Sequence, residues 1–287
     1  MLQALLNGLA AGTQLALPAL GLAVIFQVQR FFNFALAAII TMGAYAAWLA
    51  NTTGKLSMVP ALAVAFLVAG VIGVIVDAAT LERLRRSHTA QALLGTAIAS
   101  IALMIALQAI TRFVFGNDLR SFDLPLERDV RMMDIRVSPQ QAKNCLAAVA
   151  TLLMVWAFFR FTRMGKAMRA AADNPALARL KGIDPRRVGR IAVLLGAGLA
   201  GVGGALVGLD TSIDPLTGER LLLSVFAACV VGGITSLPGA VLGAMIIGFA
   251  EEFALIVLSP TYRSGVGFVV ILLVLLIRPH GILGEKD

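Results

Sequence analysis

The sequence predicts an all-α membrane protein in which eight or nine helices cross the bilayer. Hydrophobic residues make up 59% of its 287 residues and charged residues only 14%, against about 25% charged in an ordinary soluble domain. The apolar runs lack the alternation of barrel strands, and in hydrocarbon a segment must satisfy its own backbone hydrogen bonds, so we expect helices. Nine spans of about 20 residues each leave no room for a separate soluble domain. Residues 1–287 are therefore expected to form a single transmembrane domain.

Eight long uncharged stretches provide the candidate spans, and most are long enough to cross a bilayer. They cover residues 1–29, 31–54, 56–76, 87–111, 144–159, 191–209, 221–250 and 264–277. No lysine or arginine precedes Arg30, so the first stretch lacks the basic flank of a cleavable signal peptide. We expect it to stay in the mature protein.

The stretch 221–250 is ambiguous because two glycines and a turn-prone segment at 235–239 interrupt it. We expect a short element ending near Ile234 and a new helix with Pro238 in its first turn, where the missing N–H costs nothing. That helix is expected to run to about Leu258. The count is then nine crossings, or eight if the short element is re-entrant.

The basic residues predict which side each connection faces. They are concentrated in the connections 82–89 and 160–190, and cationic connections stay in the cytoplasm. The connection 112–143 mixes both signs and lies one crossing from each of these, so we expect it outside. With nine crossings the N-terminus faces out and the tail from Arg278 faces the cytoplasm.

The connection 160–190 has a helical plan of its own. Residues 164–172 are rich in helix formers; Asn174 is suited to cap a second helix that begins with a proline, Gly182 to end it, and Asp184 to cap the next crossing. Two short helices are therefore expected along the cytoplasmic face.

Two interpretations of this connection stay open from composition alone. Its basic residues suit a surface loop held to anionic lipid headgroups. A small apolar surface equally suits a docking platform for a cytosolic partner. That surface consists of Ala170, Ala171, Ala172, Ala176, Leu177 and Leu180.

Two crossings carry small residues at four-residue spacing, which lets helix backbones approach closely. One set is Gly196, Ala200, Gly204 and Gly208, and the other is Ala240, Ala244 and Gly248. We expect helix packing inside the subunit or against a second membrane subunit, in preference to substrate contact.

Four carboxylates lie in or beside the apolar stretches, where a charge is costly. We expect Asp77 to reach Arg83 or headgroup water, and Asp210 to be solvated at the opposite mouth. Glu251 and Glu252 lie deeper, and we expect them to line a polar pathway or an interface.

The sequence lacks the motifs that are typical of several classes of function. Neither Gly-Lys pair, at 54–55 and 165–166, has the other residues of a phosphate-binding loop. The histidines and cysteines lack metal-ligand spacing, and Asp210 has no evident partner for hydrolysis, so no metal site or catalytic residue is expected. The basic residues that give the net charge of +8 lie in the short connections between the spans, which argues against a nucleic-acid partner.

Four stretches and the chain end carry motifs whose order and spacing together are specific. They are Asn7-Gly8-Leu9 through Gly12 to Ala16-Leu17 and Ala19-Leu20-Gly21; Asn33-Phe34-Ala35 with Gly43-Ala44-Tyr45; Arg163-Met164-Gly165 through Arg169-Ala170 to Gly182-Ile183-Asp184; Gly232-Gly233-Ile234 through Pro238-Gly239-Ala240 to Gly243, Gly248 and Glu251; and Arg278-Pro279-His280-Gly281-Ile282-Leu283-Gly284. Over essentially the whole chain, the sequence resembles the membrane permeases of branched-chain amino-acid ABC importers, of the LivH type.

The resemblance implies the ABC importer permease fold in a bacterial inner membrane. It implies inward movement of a branched-chain amino acid or related small solute by alternating access. The implied partners are a second permease subunit, identical or homologous, two cytosolic ATP-binding subunits, an extracytoplasmic solute-binding protein and membrane lipid. The chain itself is then not an enzyme and binds no cofactor directly, since ATP is bound by the partner subunits.

The resemblance also favours docking as the role of the connection 160–190, because the corresponding segment in ABC importers is a coupling helix that fits a cleft on the ATPase. The implied coupling residues are Gly165, Ala170, Ala171, Asp173, Asn174 and Gly182. The expected substrate-pathway residues are Asn33, Thr41, Glu251 and Glu252.

One stretch departs from the family pattern. Family members commonly continue Asn-Phe-Ala with His-Gly and often an acidic residue, whereas this chain has Leu36, Ala37 and Ala38. If the stretch lines the pathway, a different substrate or polar contacts from the partner permease are expected. The alternative function is an ion-coupled secondary transporter or channel that acts without ATPases through Glu251 or Glu252.

Overall fold

The computed structural model describes residues 1–85, 89–123, 130–132, 135–259, 262–278 and 280–284. In this part of the chain, twelve α-helices account for nearly all regular structure. They are α1 (Leu2–Gln29), α2 (Leu36–Thr52), α3 (Met58–Val76), α4 (Glu82–Leu84), α5 (Ala90–Phe115), α6 (Pro139–Phe161), α7 (Arg163–Asp173), α8 (Pro175–Leu180), α9 (Pro185–Asp210), α10 (Thr217–Gly232), α11 (Leu237–Ala254) and α12 (Arg263–Ile277). A π-helical turn, Asp77–Leu81, joins α3 to α4.

Six helices in the described ranges are long and apolar enough to cross a membrane: α1, α3 with its continuation to Leu84, α5, α6, α9 and α11. The predicted spans at 31–54 and 264–277 instead form helices of 17 and 15 residues, α2 and α12. The first of them is short because residues 30–35 are not helical. The helical class is therefore as predicted, whereas only six helices reach full spanning length.

The interrupted stretch forms two helices, α10 and α11, as the sequence predicts. Gly233 follows α10 with a positive φ of 103°, a conformation that favours glycine. The Ser236 hydroxyl then accepts a hydrogen bond from the Gly239 N–H (3.1 Å), and Pro238 lies in the first turn of α11. The predicted end near Leu258 is wrong, because α11 gives way to a turn after Ala254.

A short β-hairpin between α5 and α6 was not predicted. Strands β1 (Val130–Met132) and β2 (Ile135–Val137) pair antiparallel, with Val130 opposite Val137. Three-residue strands in a charged connection leave too weak a pattern for sequence analysis to detect.

Two antiparallel helices, α1 and α9, form the centre of the molecule. Most of the apolar window of each is buried, 83% and 78%, against 17% for the peripheral α5 and α6. Glycines bring the central helices together, because the backbones of Gly21 and Gly196 meet where side chains would collide. α2 and α3 pack on one side of α9, and α10 and α11 on the other side of α1.

Hydrogen bonds show which segments share one end of the bundle. Arg30 Nη2, just after α1, donates to the Ala172 carbonyl at the end of α7 (2.6 Å), and Gln27 Nε2 donates to the Thr235 carbonyl before α11 (2.5 Å). The backbone of residues 282–283 donates to the last carbonyls of α10. We call this the loop end, since it holds α7 and α8.

The opposite end holds the connection from α5 to α6, and we call it the hairpin end. Arg120 and Ile213 exchange two backbone hydrogen bonds of 2.8 Å across it. The Trp48 indole N–H donates to the Ser121 carbonyl (3.0 Å), and the Asp123 N–H donates to Asn51 Oδ1 (2.9 Å). These contacts join the ends of α2, α5 and α9 that lie at the hairpin end.

Candidate functional site

The loop between α6 and α9 has the local structure that its capping residues predict. Asn174 Oδ1 accepts hydrogen bonds from the first N–H groups of α8 at 3.1 and 3.0 Å, and Asp184 Oδ1 accepts one from the Arg186 N–H at 3.0 Å. Gly182 lies after α8 with a φ of +79°. Thr162 caps α7 in the same manner, so each of these helices begins at a side chain suited to cap it.

Close packing fixes α7 against the end of α6. A side chain at Gly165 would meet the backbone of Phe158 and Phe159 at 2.6 Å, and Met168 and Ala171 are buried in the same contact. The hydrogen bond from Arg30 to Ala172 attaches α7 to α1 as well. The loop is therefore a packed helical pair rather than a flexible connection.

The predicted coupling residues fall into two groups. Gly165 and Ala171 are buried and attach α7 to the bundle, whereas Ala170, Asp173, Asn174 and Gly182 are exposed at the loop end.

The largest apolar groups on this exposed side are Leu177 and Leu180, which are 57% and 83% exposed. The coupling set predicted from the sequence did not contain them. Their signal was present in the apolar surface, since leucine in a short, basic, polar loop is unusual unless a partner covers it.

A polar cleft of about 570 Å³ opens at the hairpin end between α1, α9, α10 and α11. Asp210, Glu251 and Glu252 line it, with Arg220 at the start of α10. Apolar side chains of the same helices form the remaining wall, including Leu15 and Leu221. The arrangement suits a small solute with a cationic group and an apolar body.

Asp210 is exposed at the hairpin end, as the sequence predicts, but it is also held by two side chains. Its carboxylate accepts hydrogen bonds from Gln14 Nε2 and from Asn144 Nδ2, the latter at 2.5 Å, and both amides are buried. These partners precede Asp210 by 196 and 66 residues, so no local pattern predicts them.

The other carboxylates of the cleft are also engaged. The Ser224 hydroxyl donates to Glu251 Oε1 (2.5 Å), so α10 and α11 are joined by a polar contact inside the bundle. Arg220 forms its ion pair with Asp214. Glu252 of α11 is half-buried and also lines the cleft.

Asn33 and Thr41 lie away from this cleft. Asn33 is buried, and its Oδ1 accepts from the Ala35 N–H (3.1 Å). Thr41 is buried between helices, and its Oγ1 accepts from the Gly218 N–H (2.9 Å) at the start of α10. Of the four predicted pathway residues, the structure therefore places Glu251 and Glu252 in the cleft and the other two outside it.

The stretch that departs from the family pattern is buried in the core. Leu36, Ala37 and Ala38 are 0% exposed, and the Ala37 carbonyl is closely approached by Gly218. Apolar residues at these positions affect packing inside the subunit, so the departure by itself does not indicate a different substrate.

Asp77 pairs with Arg85 and not with the predicted Arg83. Arg85 donates to both Asp77 oxygens at 2.8 and 3.0 Å, and Gln29 of α1 bonds to both groups. The π-helical turn after α3 contains one residue more than an α-helical turn, so the side chains that follow it point in a different direction than a continuous α-helix would give them. The pair lies at the loop end beside the linker from α1 to α2.

The small residues at four-residue spacing are contact points inside this subunit. Their positions on α9 face α1, α2 and the hairpin-end connection, and those on α11 face α1 and α10. Gly204 lies against the Ile40 backbone, and Gly248 against Gly12. The set comprises Gly196, Ala200, Gly204, Gly208, Ala240, Ala244 and Gly248, all of them buried.

Comparison with known proteins identifies the family. The family model described as "Branched-chain amino acid transport system / permease component" matches residues 4–275. The chain is similar to the high-affinity branched-chain amino acid transport system permease protein LivH of Escherichia coli (strain K12), with 30% identity over 302 residues, covering 100% of this chain and 96% of LivH. The corresponding permease protein BraD of Pseudomonas aeruginosa gives the same identity and coverage.

A solved structure supports the fold alone. A chain of PsaBC from Streptococcus pneumoniae, in complex with Fab, matches with a TM-score of 0.50 and 13% sequence identity, covering 96% of this chain and 91% of that chain.

The family is a transport component and not an enzyme. With the apolar helices, these similarities support a multi-pass protein of the bacterial inner membrane. The chain belongs to the family of permease components of branched-chain amino acid transport systems, the membrane subunits of ABC importers.

Proposed function

We propose that this permease imports a branched-chain amino acid or a closely related small solute. The proposed assembly holds a second permease subunit, identical or homologous, two cytosolic ATP-binding subunits and an extracytoplasmic solute-binding protein. Family membership supports both the assembly and the solute class. ATP is bound and hydrolysed on the partner subunits, and alternating access in the permease follows from their motion.

We propose nine crossings, with the N-terminus outside and the loop end in the cytoplasm. The nine are α1, α2, α3, α5, α6, α9, α10, α11 and α12. The shared location of Arg30, Ala172 and residues 282–283 supports this arrangement, because an odd number of crossings separates the N-terminus from each of them. The basic residues of the loop support the cytoplasmic side.

The coupling role rests on one observation, the exposure of Leu177 and Leu180 on a packed helical pair. Two leucines that face water on a loop rich in arginine and lysine are stabilised when a partner covers them. The buried Gly165 and Ala171 would transmit the partner's motion to α6. The exposed Ala170, Asp173, Asn174 and Gly182 would border the same contact.

Glu251 and Glu252 remain our proposed pathway residues, at the outer mouth. Their location in the cleft supports contact with a solute that carries an ammonium group. Asn33 and Thr41 would not contact the solute directly. They would affect the pathway by fixing the backbone before α2 and at the start of α10, to which they hydrogen-bond.

The coupling proposal is tested with the double substitution Leu177→Asp and Leu180→Asp. We expect the ATP-binding subunits to bind at least about tenfold more weakly, because a carboxylate buried without a partner costs more than about 1.4 kcal/mol. ATP-dependent uptake of leucine into proteoliposomes should fall in parallel. Copurification of the ATPases and the uptake rate are measured together.

A matched control is Leu119→Asp, since Leu119 is 69% exposed at the hairpin end. This variant should keep both ATPase binding and uptake. Undiminished ATPase binding by the double variant would contradict the coupling role. Leucine uptake by the chain without ATPases would contradict the importer itself.

A further inference from the structure

The cleft at the hairpin end is closed towards the membrane interior. Its floor is at Gly248, where a side chain would lie 2.5 Å from the Gly12 backbone. Further along, Gly243 of α11 is held against the Ala228 carbonyl of α10. α1, α10 and α11 thus meet backbone to backbone, so a solute that contacts Glu251 and Glu252 on entry cannot continue through the subunit along this line.

The opposite face of α10, which we call the open face, is only partly covered by the rest of the subunit. Glu219, Leu223, Phe226 and Val230 recur at spacings of four, three and four residues, so they lie on one face of the helix. Glu219 is exposed and the other three are half-buried. This face extends from the mouth of the cleft to the last turn of α10.

A non-helical segment borders the open face. Residues 30–35 link α1 to α2 as a non-helical turn segment, and the Phe34 N–H donates to Ser100 Oγ of α5 (3.0 Å). Ser100 lies ten residues after the start of α5, about 15 Å along a helix that spans the membrane. Non-helical backbone at this depth occurs where it lines a cavity or is covered by protein, and not where it faces lipid.

Four phenylalanine rings cover this segment and continue onto α10. The ring centroids of Phe26 and Phe32 are 4.7 Å apart, those of Phe32 and Phe226 are 5.2 Å apart, and those of Phe34 and Phe226 are 5.1 Å apart. All four rings are half-buried. We call Phe26, Phe32, Phe34 and Phe226 the aromatic surface.

A charged group lies at the outer end of the same face. Gln108 Nε2 of α5 donates to Glu219 Oε2 (3.0 Å), and Gln108 is only 7% exposed. A carboxylate and a primary amide that face hydrocarbon raise the free energy of the protein, because lipid tails cannot solvate them. Together with the non-helical backbone, they indicate that this face adjoins water or protein rather than lipid.

We propose that the solute crosses along the open face of α10 and that the aromatic surface contacts its aliphatic side chain. Glu219, at the outer end, is suited to the ammonium group, and the rings of the aromatic surface to a branched aliphatic group. A second permease subunit would close the passage from the other side. The inference rests on the proposed importer function and assigns its solute-contacting residues.

The test measures the reaction of single cysteines with a charged methanethiosulfonate reagent in the reconstituted transporter. Phe226→Cys and Phe34→Cys are introduced separately where Cys145 and Cys229 have been replaced by alanine. The control is Ile98→Cys, which is 68% exposed on α5 at the depth of Ser100. Both test thiols should react at least about tenfold faster than the control, because the reactive thiolate forms in water and not in lipid.

Addition of solute-binding protein loaded with leucine, with ATP, should slow the reaction of both test thiols and leave the control unchanged. Equal reaction rates at the three positions would overturn the proposal, and so would reaction without protection by leucine. Leucine import is measured separately in the parent protein that lacks only Cys145 and Cys229, so fast labelling of the test thiols with no import by that parent contradicts the importer function and not the open face. Using two test positions guards against one variant failing to assemble.

Discussion

The Asp77 carboxylate is the most strongly buried charge whose partner the structure identifies. Its side chain is 3% exposed and that of Arg85 is 13% exposed. The Arg85 guanidinium also lies 4.8 Å from the centroid of the Phe31 ring, which adds a cation–π contact. One ion pair thus holds the end of α3, the end of α1 and the start of the α1–α2 linker.

Removal of this arginine should be strongly destabilising. Arg85→Ala leaves a buried carboxylate unpaired, and we expect a loss of about 3–5 kcal/mol. Thermal unfolding in detergent, followed by the fluorescence of Trp48 and Trp156, measures the effect. The double replacement Asp77→Leu with Arg85→Met should recover most of the stability, since an apolar pair replaces a buried ion pair with little loss.

The control for that experiment is Arg187→Ala. Arg187 pairs with Asp184, but their side chains are 85% and 48% exposed, and such pairs contribute little. Equal melting temperatures for Arg85→Ala and Arg187→Ala would show that the buried pair does not carry the stability assigned to it.

At the scale of the helices, glycine determines how closely the central elements approach. α1 and α9 meet at Gly21 and Gly196, where a side chain on Gly196 would lie 2.5 Å from the Gly21 carbonyl oxygen. Backbone atoms cannot move aside as a flexible side chain does. The close approach then aligns Gln14 of α1 with Asp210 at the end of α9.

Substitution at this contact should separate the two helices. Gly196→Leu is expected to cost at least about 1–3 kcal/mol, the usual cost of overpacking, and to lower the yield of monodisperse protein. Gly189→Leu is the matched control, because Gly189 lies on the same helix with no atom within 4 Å of the added carbon. A normal yield and melting temperature for Gly196→Leu would contradict the packing role.

At the scale of the whole molecule, the two ends of the bundle differ in chemistry. The loop end has the helical pair α7 and α8 with its exposed leucines, and the hairpin end has the polar cleft. The α1–α2 linker approaches both the aromatic surface and, through Arg30, the end of α7. On our proposal, a movement of the loop would reach the segment that we assign to solute contact through this hydrogen bond.

The proposed orientation can be measured with single cysteines in intact cells. In a protein without Cys145 and Cys229, Ser57→Cys should react with a membrane-impermeant maleimide added outside. Lys181→Cys should react only after the membrane is opened. Both positions are exposed, at the starts of α3 and of the segment after α8. Reaction of both from the same side would contradict nine crossings in the proposed direction.

The amino-acid sequence by itself determined the elements that local interactions specify. Long uncharged runs fixed the positions of the helices, and Asn174, Gly182 and Asp184 fixed the boundaries around α8, because a cap acts within one turn of its own residue. The break between α10 and α11 followed in the same way from a glycine and a proline. Motif order over the whole chain was sufficient to indicate the transporter family.

The tertiary structure alone decided which polar residues meet. Asp77 pairs with Arg85 rather than Arg83, and Asp210 binds amides from α1 and α6. The phenylalanines of the aromatic surface come from residues up to 200 positions apart (226 − 26). Such contacts depend on the rotation and depth of each helix relative to the others. These are set by glycine contacts and backbone breaks that hydropathy and residue spacing do not specify.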